Sequence, residues 1–479
     1  MKLAAALLCS AAAAVGVGAW DWKADVASKS GDVARIVAEA VDGDSAGLTF
    51  ERLAEMTDRF GHRLSGSESL EQSIDWLEAQ LLEEGGFEVH TEDVQVPSWH
   101  RGAESAWMRE PRNYQMSILG LGGSVATPAE GITAEVLLVE TFDELKNKSA
   151  EAKGKIVVFN PQCDWKAKPT ACYGETVTYR GGSASAAARV GAVAALVRSL
   201  TGFSLDTPHT GLMSYDEDAD KIPTASLTVE DTEAIARMQA RGDKVIIELH
   251  MEATNLPMAT SRNLIVDWRG SEKPDEVVLI SGHIDSWDVG VGAMDDGGGA
   301  FIGWTALSVL KKLNLRPKRT VRQVFWTCEE FGGYGGNAYW DAHKANVSKF
   351  SAVFESDMGN FLPTGMQFKG SSAAEAVMAQ VVAPLAVIGA GNLTKGGGGE
   401  DINNWMVNGV PGGSPKTNNE AYFDFHHTHA DRMGEAVTTG NLDLNVAVWA
   451  SVAYSVADLD ELLPRNDAGA FETMTIEAK

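Results

Sequence analysis

The chain is poor in basic residues, in cysteine and in long apolar segments. Its 479 residues hold 40 Lys and Arg against 66 Asp and Glu, which gives a formal net charge of −26. This acidity argues against nucleic acid or an anionic membrane as a partner. After the N-terminal segment, no stretch reaches the roughly 18 uninterrupted apolar residues that a membrane span needs. We therefore expect an acidic, soluble mature protein.

The first 19 residues have the pattern of a secretory signal peptide. Lys2 supplies a positive charge, an Ala- and Leu-rich run follows, and Val17-Gly18-Ala19 offers small residues for cleavage. The run of about 17 residues is just short of a bilayer span, which favours a cleaved signal over a membrane anchor. The sequence thus predicts a secreted, extracellular protein, and a lysosomal destination stays open.

The few cysteines fit an exported protein without requiring one. Once Cys9 has left with the signal, Cys163 and Cys172 are close enough in sequence for a small-loop disulfide, which an oxidising compartment allows. Cys328 then remains free. Three Asn-x-Ser/Thr triplets predict a glycoprotein if the source is a eukaryote, and they begin at Asn147, Asn346 and Asn392.

Hydrophobic periodicity predicts an α/β domain that is interrupted by an insertion. Ser67 is a suitable N-cap for a helix that Gly85 can end, and a strand follows. The middle of the chain has short β runs and an Ala-rich helix candidate from Ser185 to Leu196. The predicted segments are a signal peptide (1–19), an N-terminal segment or propeptide (20–45), a first stretch of the catalytic domain (46–129), an inserted domain (130–255), a second stretch of the catalytic domain (256–465) and a tail (466–479).

Strand and helix patterns alternate again after Asn263. The strand candidates run from Leu264 to Trp268, from Val277 to Ile280, from Val321 to Trp326 and from Ala352 to Phe354, with a helix from Ala300 to Leu313 among them. This alternation indicates a mixed, mostly parallel sheet with helices on both faces. Because sites in such sheets form beyond the carboxyl ends of the strands, the residues at those ends are the candidates for chemistry.

Potential metal ligands lie at those strand ends. His283, Glu330 and Asp357 follow three successive strand candidates, Asp295 precedes the helix, and His427 lies later. Zinc takes imidazole nitrogen and carboxylate oxygen readily, and two neighbouring zinc ions need a carboxylate that bridges them. We predict that His283 and Asp357 hold one ion, that Glu330 and His427 hold the other, and that Asp295 bridges.

Two acidic residues beside the predicted ligands have supporting roles. Glu329 is predicted to take a proton from the attacking water and to pass it to the leaving amine. Asp285 is placed to accept the other ring N–H of His283. Alone, a Glu-Glu pair is typical of a solvated surface, and Asp295 could cap a helix. The coincidence of ligand-type residues at three successive strand ends favours the metal site.

From about residue 45 to about residue 465, the sequence resembles the M28 family of metallopeptidases. The matching runs are Ser281–Gly290, Gly292–Phe301, Leu315–Thr320, Arg63–Ser67, Gly131–Val136, Gly154–Val158 and Pro208–Gly211. The resemblance implies a zinc-exopeptidase fold with an inserted protease-associated-type α/β domain, two zinc ions, a short peptide such as a dipeptide as substrate, and a homodimer. It implies the same five ligands with Glu329 as acid/base, and the His-Thr-x-x-Asp element at 427–431 favours His427 as the late ligand.

The late region of the chain departs from the family pattern. Where relatives often carry Ser-Asp-His-x-x-Phe, Asn403 stands in place of the His, so only Asp401 is carried over, as a supporting residue. In some relatives a Tyr precedes the late metal His, and here that place is His426. His426 and Tyr422 are therefore the candidates for substrate binding or oxyanion stabilisation.

Four functions remain compatible with this pattern. The first is a dipeptidase or carboxypeptidase-like exopeptidase with two zinc ions, and the second is a zinc aminopeptidase on the same scaffold. A glutaminyl-cyclase-like acyltransferase works with one zinc ion, which the complete set of five ligands disfavours. A non-catalytic receptor ectodomain would have lost ligands, and this chain has kept them.

Overall fold

The structure is a computed structural model that describes residues 20–434 and 437–465. The predicted signal peptide (1–19) and tail (466–479) lie outside the described residues. The strands are β1 (Glu88–His100), β2 (Glu104–Glu110), β3 (Tyr114–Met116), β4 (Ile118–Gly120), β5 (Ile132–Val139), β6 (Ile156–Phe159), β7 (Ala194–Arg198), β8 (Thr224–Leu227), β9 (Ile246–Met251), β10 (Thr254–Trp268), β11 (Lys273–His283), β12 (Arg319–Trp326), β13 (Phe350–Glu355), β14 (Pro363–Lys369), β15 (Asn392–Lys395) and β16 (Gly412–Thr417).

Helices connect these strands. They are α1 (Trp22–Ser28), α2 (Ser30–Val41), α3 (Leu48–Phe60), α4 (Glu68–Glu84), α5 (Phe142–Asn147), α6 (Ser149–Ala152), α7 (Pro169–Arg189), α8 (Val229–Ala240), α9 (Gly298–Lys312), α10 (Tyr334–His343), α11 (Ser372–Val382), α12 (Asn403–Val407), α13 (Tyr422–Phe425) and α14 (Thr439–Ala457). Helix α4 begins where the sequence predicts, because the Ser67 side chain accepts a hydrogen bond from the Leu70 amide, and Gly85 is its C-cap.

The first sheet has the order β1-β10-β12-β11-β13-β16-β14-β15. Its central strands β12, β11, β13 and β16 run parallel, and β1, β10 and β14 add antiparallel pairs. Alternate residues of β11 face opposite sides, so Val278 and Ile280 join the core under α9 and α14, whereas Val277 and Leu279 pack with α10 and α12. The predicted mixed, mostly parallel sheet with helices on both faces is confirmed.

A second sheet has the order β3-β2-β9-β5-β6-β7-β8-β4. Strands β2 to β4 precede residue 130 and yet pair within this sheet, so the predicted boundary at 130 cuts through it. We call residues 104–251, which supply all its strands, the second-sheet region. The predicted helix from Ser185 to Leu196 is confirmed only as far as Arg189, where α7 ends, and it is wrong for residues 194–196, which belong to the buried strand β7. The predicted Cys163–Cys172 disulfide is present, and Cys328 is free and buried.

The N-terminal helices α1 and α2 pack against the core of the first sheet. Ile36 is fully buried, the Tyr454 hydroxyl donates to Asp32 at 2.9 Å, and the Asp460 amide donates to Asp25 at 2.8 Å. Removal of residues 20–45 as a propeptide stays a prediction. Over the described ranges, none of the helices combines the length and apolarity that crossing a membrane requires.

Candidate metal centre

Three neighbouring parallel strands bring the predicted ligands together. Strand β11 ends at His283, Glu329 and Glu330 follow β12, and Asp357 follows β13. Because β12, β11 and β13 are adjacent and parallel, their carboxyl ends meet at one edge of the sheet. Asp295 reaches the same place from the turn Ala293–Gly297 that leads into α9.

His283 forms one side of the cluster. Its Nε2 atom lies 3.4 Å from an oxygen of Asp295 and 3.3 Å from an oxygen of Asp357. Its Nδ1 atom lies 3.0 Å from the backbone carbonyl oxygen of Asp285, which fixes the ring with Nε2 toward the carboxylates. The imidazole is thus oriented by its own strand-end loop.

His427 forms the other side. Its Nε2 atom lies 2.9 Å from Glu330 Oε2 and 3.3 Å from Asp295 Oδ2. Its Nδ1 atom lies 3.1 Å from the carbonyl oxygen of Thr210, which belongs to the second-sheet region. The backbone of His427 has φ = 61°, an uncommon conformation for a residue with a side chain, of the kind that concentrates at functional sites.

The two carboxylate oxygens of Asp295 face opposite imidazoles. Oδ1 faces His283, and Oδ2 faces His427. The residues fit a metal site, because the buried His283 Nε2 and Glu330 Oε1 atoms have no hydrogen-bond partner among the described residues. Groups of residues that could hold a metal ion form around His283 with Asp295 and Glu330, around His283 with Asp296 and Asp357, and around Asp295 with His426 and His427.

The electrostatics of the cluster also favour cations. Burial raises the pKa of Asp357 to about 6, with Glu329 and Asp295 adding to the rise and His283 opposing it. Burial and then Asp295 raise the pKa of Glu330 well above its usual range. Burial would lower the pKa of His283, but the neighbouring carboxylates of Asp285, Asp295 and Asp357 raise it well above the usual value. Metal ions in place of these protons would offset the crowded negative charge.

Asp285 lies beside the His283 ring and also contacts the loop that carries Glu329 and Glu330. Its carboxylate lies 3.5 Å from His283 Nδ1, farther than its own backbone oxygen. The carboxylate also accepts the backbone amides of Glu329 at 3.0 Å and Glu330 at 3.3 Å. Asp285 therefore positions the loop that carries both glutamates, and its role as acceptor of the His283 ring N–H stays a prediction.

Sequence reasoning gave no role to two further supports of the centre. Asp431 accepts the backbone amides of Met294 at 2.7 Å and Asp295 at 3.1 Å, which holds Asp295 in place. The buried Arg63 donates to the carbonyl oxygens of Val291 and Gly292 at the start of the same turn. Both residues lie in runs that resemble the family, so the sequence marks them as part of the family pattern but does not indicate what they do.

The remaining predicted residues lie at different distances from the cluster. The His426 ring stacks on that of His427 with centroids 3.5 Å apart, and Tyr422 is buried beside it in the cleft over the cluster. Asp401 lies behind the centre, where its carboxylate accepts the Gly336 amide at 3.0 Å near the start of α10. Asp401 therefore supports the scaffold and does not line the cleft.

The second-sheet region supplies cleft residues that the sequence did not suggest. Tyr173 and Arg180, both from α7, line the same cleft as Glu329 and His427. They are more than 100 residues from the metal ligands in sequence, and a helix inside an insertion carries no local signal of such a role. Thr210 and Gly211 lie in the run Pro208–Gly211, which resembles the family but has no predicted function.

Known proteins resemble this chain in both sequence and fold. The profile of Peptidase family M28 matches residues 263–453. Carboxypeptidase Q of Bos taurus is 49% identical over 437 residues, which cover 91% of this chain and 91% of the relative. The crystal structure of a peptidase M28 precursor from Shewanella amazonensis SB2B has a TM-score of 0.85 and 32% identity, covering 92% of this chain and 99% of that one. A zinc aminopeptidase from Bacillus subtilis has a similar fold, with a TM-score of 0.63, 19% identity and coverage of 86% and 98%.

Proposed function

Because the chain belongs to peptidase family M28 and is a metallopeptidase similar to carboxypeptidase Q, we propose that it is a secreted exopeptidase that uses two zinc ions to hydrolyse short peptides, dipeptides above all. Its substrate would be a peptide with a free terminus. The predicted signal peptide and the Cys163–Cys172 disulfide, which suits an oxidising compartment, support export. Glycosylation and a homodimer remain predictions from the sequence and the resemblance.

The position of Asp295 carries the proposal of two ions. Its two oxygens face His283 and His427 separately, so one carboxylate can serve two neighbouring ions. Asp357 completes the His283 side, and Glu330 completes the His427 side. Bound zinc would supply Lewis acidity, which polarises a peptide carbonyl and lowers the pKa of water toward about 7.

Glu329 is the residue that we propose moves the proton. It lines the same cleft as the predicted ligands, and the hydrogen bond from its backbone amide to the Asp285 carboxylate fixes its backbone. Its carboxylate would accept a proton from the attacking water and deliver it to the nitrogen of the departing amine. His426 and Tyr422 lie over the same cleft and are the candidates for stabilising the oxyanion.

The test is hydrolysis of a dipeptide panel by the wild type and by Glu329→Gln. Each dipeptide is supplied free, N-blocked and C-blocked, with and without a chelator. We expect cleavage of free dipeptides, loss with the chelator, recovery with zinc, and a rate for Glu329→Gln lower by about 10²- to 10⁴-fold at unchanged zinc content. Metal binding without hydrolysis of any peptide would overturn the proposal, and cleavage of C-blocked peptides at full rate would favour an aminopeptidase.

A further inference from the structure

A buried ion pair joins the two sheets beside the candidate metal centre. Arg101 lies in the short link between β1 of the first sheet and β2 of the second. Its Nε atom donates to one carboxylate oxygen of Asp288 at 2.7 Å, and its Nη2 atom donates to the other at 2.5 Å. Asp288 follows β11, five residues after His283. The two side chains are only 10% and 12% exposed, so solvent screens this pair much less than it screens a surface pair.

The Asp288 end of this pair is connected to Glu330. The neighbouring Trp287 is buried, and its indole Nε1 atom donates to Glu330 Oε2 at 2.6 Å. The same oxygen lies 2.9 Å from His427 Nε2, on the second side of the centre. Because Trp287 and Asp288 are adjacent in the chain, a bond that fixes Asp288 also limits where the indole can lie. Arg101 therefore acts on Glu330 through one short segment.

The other donors of Arg101 lead to His427. Nη1 donates to the Gly120 carbonyl oxygen at 2.5 Å, and Nη2 also lies 3.4 Å from the Thr210 hydroxyl. That hydroxyl donates to the same Gly120 oxygen at 2.7 Å. The Thr210 backbone then holds His427 twice, because its amide donates to the His427 carbonyl oxygen at 3.0 Å and its own carbonyl oxygen lies 3.1 Å from Nδ1. Arg101 therefore reaches the imidazole through Thr210.

Different contacts hold the other half of the centre. The backbone amide of His283 donates to the Asp296 carboxylate at 3.1 Å, and its Nδ1 atom lies 3.0 Å from the Asp285 carbonyl oxygen. Asp357, the other ligand predicted for this half, follows β13. All of these residues belong to the first sheet or to its connections, and the paths from Arg101 run through other residues. A change in the link between the sheets should therefore act on one half of the centre first.

An arginine suits this junction because of the shape of its side chain. The guanidinium is planar and directs several N–H groups outward, so it can bind a carboxylate and a carbonyl oxygen at once. Lysine carries one compact ammonium group on a flexible stem and cannot reproduce this arrangement. Glu104 lies 3.5 Å from Nη1, and the Trp99 ring centroid lies 5.0 Å from Cζ. Neighbours on two further sides thus limit how the guanidinium of Arg101 can move.

We propose, resting on the two-ion centre proposed above, that Arg101 is a positioning residue that sets the distance between Glu330 and His427. One path runs from its ion pair with Asp288 to Glu330, and the other runs through Thr210 to His427. These two ligands come from distant parts of the chain, so their spacing depends on how the sheets are joined. Arg101 makes that joint, and it would thereby determine how tightly the ion between Glu330 and His427 is bound.

The test is calorimetric zinc titration of the metal-free protein, carried out on wild type, Arg101→Lys, Asp288→Asn and the double variant. Arg322→Lys is the matched control, because Arg322 donates to both oxygens of Asp267 at 2.7 Å and 2.6 Å and is similarly shielded. That pair joins β10 to β12 within the first sheet and leads to the Tyr339 hydroxyl, not to a ligand. Cobalt(II) replaces zinc in a parallel series, because its absorption spectrum reports ligand geometry without turnover.

We expect one of the two zinc ions to bind about 10- to 100-fold more weakly in Arg101→Lys, while the other keeps its affinity. Asp288→Asn should show the same selective loss. The double variant should lose no more than the larger single effect, since the two side chains act as one pair. Arg322→Lys should leave both affinities unchanged. The cobalt spectrum of the weakened site should shift in Arg101→Lys and not in the control.

His427→Ala identifies the affected ion. This variant removes a ligand of the side that Arg101 supports, so the binding event that it abolishes should be the one that Arg101→Lys weakens. Adding Arg101→Lys to His427→Ala should then not change the affinity of the remaining ion. Trp287→Phe removes the donor to Glu330 and leaves the ion pair itself intact. It should weaken the same ion, and it carries the test if the variants of the pair do not fold.

Equal weakening of both ions in Arg101→Lys, or the same effects in Arg322→Lys, would overturn this role and make Arg101 a general structural link. Weakening of the ion that remains in His427→Ala would place the effect on the His283 side and contradict the proposal. Two unchanged affinities with an unchanged cobalt spectrum would also overturn it, while the two-ion centre would stand. A wild type that binds a single zinc ion would instead refute the two-ion centre, and this proposal would fall with it.

Discussion

The two sides of the candidate metal centre contain the same kinds of ligand but are held by different regions of the chain. His283 is oriented by the carbonyl of Asp285, two residues away. His427 is oriented by the carbonyl of Thr210, 217 residues away in the second-sheet region. The His283 side is therefore local to one strand end, whereas the His427 side depends on how the two sheets pack. Changes in the second-sheet region should consequently affect one side of the centre before the other.

Removing either imidazole should have the largest effect. We expect His283→Ala and His427→Ala each to lower kcat/KM by at least about 10³-fold, because the attacking water and the carbonyl would depend on both ions in the proposed mechanism. Zinc content measured by mass spectrometry should fall in both variants. Near-normal activity in either variant would contradict the equal importance of the two sides.

Lowering the pH should weaken metal binding on both sides. Burial is the main cause that raises the pKa of Asp357 to about 6, and it also raises the pKa of Glu330. These carboxyls and the His283 imidazolium must lose protons before they can ligate, so protons compete with zinc as the pH falls. We expect the apparent zinc affinity to drop about tenfold or more per unit between pH 7 and 5, measured with a competing chelator. An affinity that is constant over this range would contradict the pKa shifts.

Asp285→Asn should disturb the His283 side and the glutamate loop together. Each carboxylate oxygen of Asp285 accepts one hydrogen bond, from the Glu329 amide and from the Glu330 amide. An Asn side chain has one oxygen and one NH₂ group, so it cannot accept a hydrogen bond at both positions. Loss of comparable support residues costs about 10- to 100-fold in activity or metal affinity. Steady-state kinetics and zinc titration measure the two effects. An unchanged kcat would show that the loop is held by other contacts.

Gly211→Ala should act selectively on the His427 side. The added Cβ would meet the Arg180 guanidinium at 2.4 Å and shift the neighbouring Thr210 carbonyl. We expect kcat/KM to fall roughly tenfold with the His283 side still loaded. Gly154→Ala is the matched control, because Gly154 also has a positive φ, of 75°, but no atom lies within 4 Å of the added carbon. Equal effects of the two substitutions would point to backbone strain alone.

Removing the disulfide should have the smallest effect on activity. The pair Cys163→Ser and Cys172→Ser releases a short loop beside Tyr173, and the loop entropy predicts about 2–3 kcal/mol less stability. Thermal unfolding should show this loss, while kcat at 25 °C changes by only about twofold. A larger loss of kcat than in Gly211→Ala would show that the start of α7, and not the Thr210 loop, controls the His427 side.

The contrast between the two sides also explains what the sequence could predict. Strands β11, β12 and β13 each contain apolar residues, and a ligand-type residue lies at the end of the strand or within four residues after it, so the local pattern predicts His283, Glu330 and Asp357. The long helix α9 was equally clear, because it is apolar on nearly every face. These features depend on periodicity and on strand order alone.

The second-sheet region shows where local pattern fails. Alanine favours helices, so the Ala-rich run from Ser185 predicts a helix through Leu196, but Ala194, Ala195 and Leu196 instead lie in the fully buried strand β7. Arg180 owes its position to α7 packing across the cleft, a tertiary contact with no signature in its neighbours. Asp285 was identified, but its acceptor role toward the glutamate loop depends on the approach of two strand ends.

The most direct test of the two-ion centre is a zinc titration of the metal-free wild type, with dipeptide hydrolysis followed at each step. Two equivalents of zinc should bind per chain, because Asp295 faces both imidazoles, and activity should reach its maximum only as the second is filled. Full activity at one equivalent, with no second binding event, would contradict a two-ion centre and leave His427 without its proposed role.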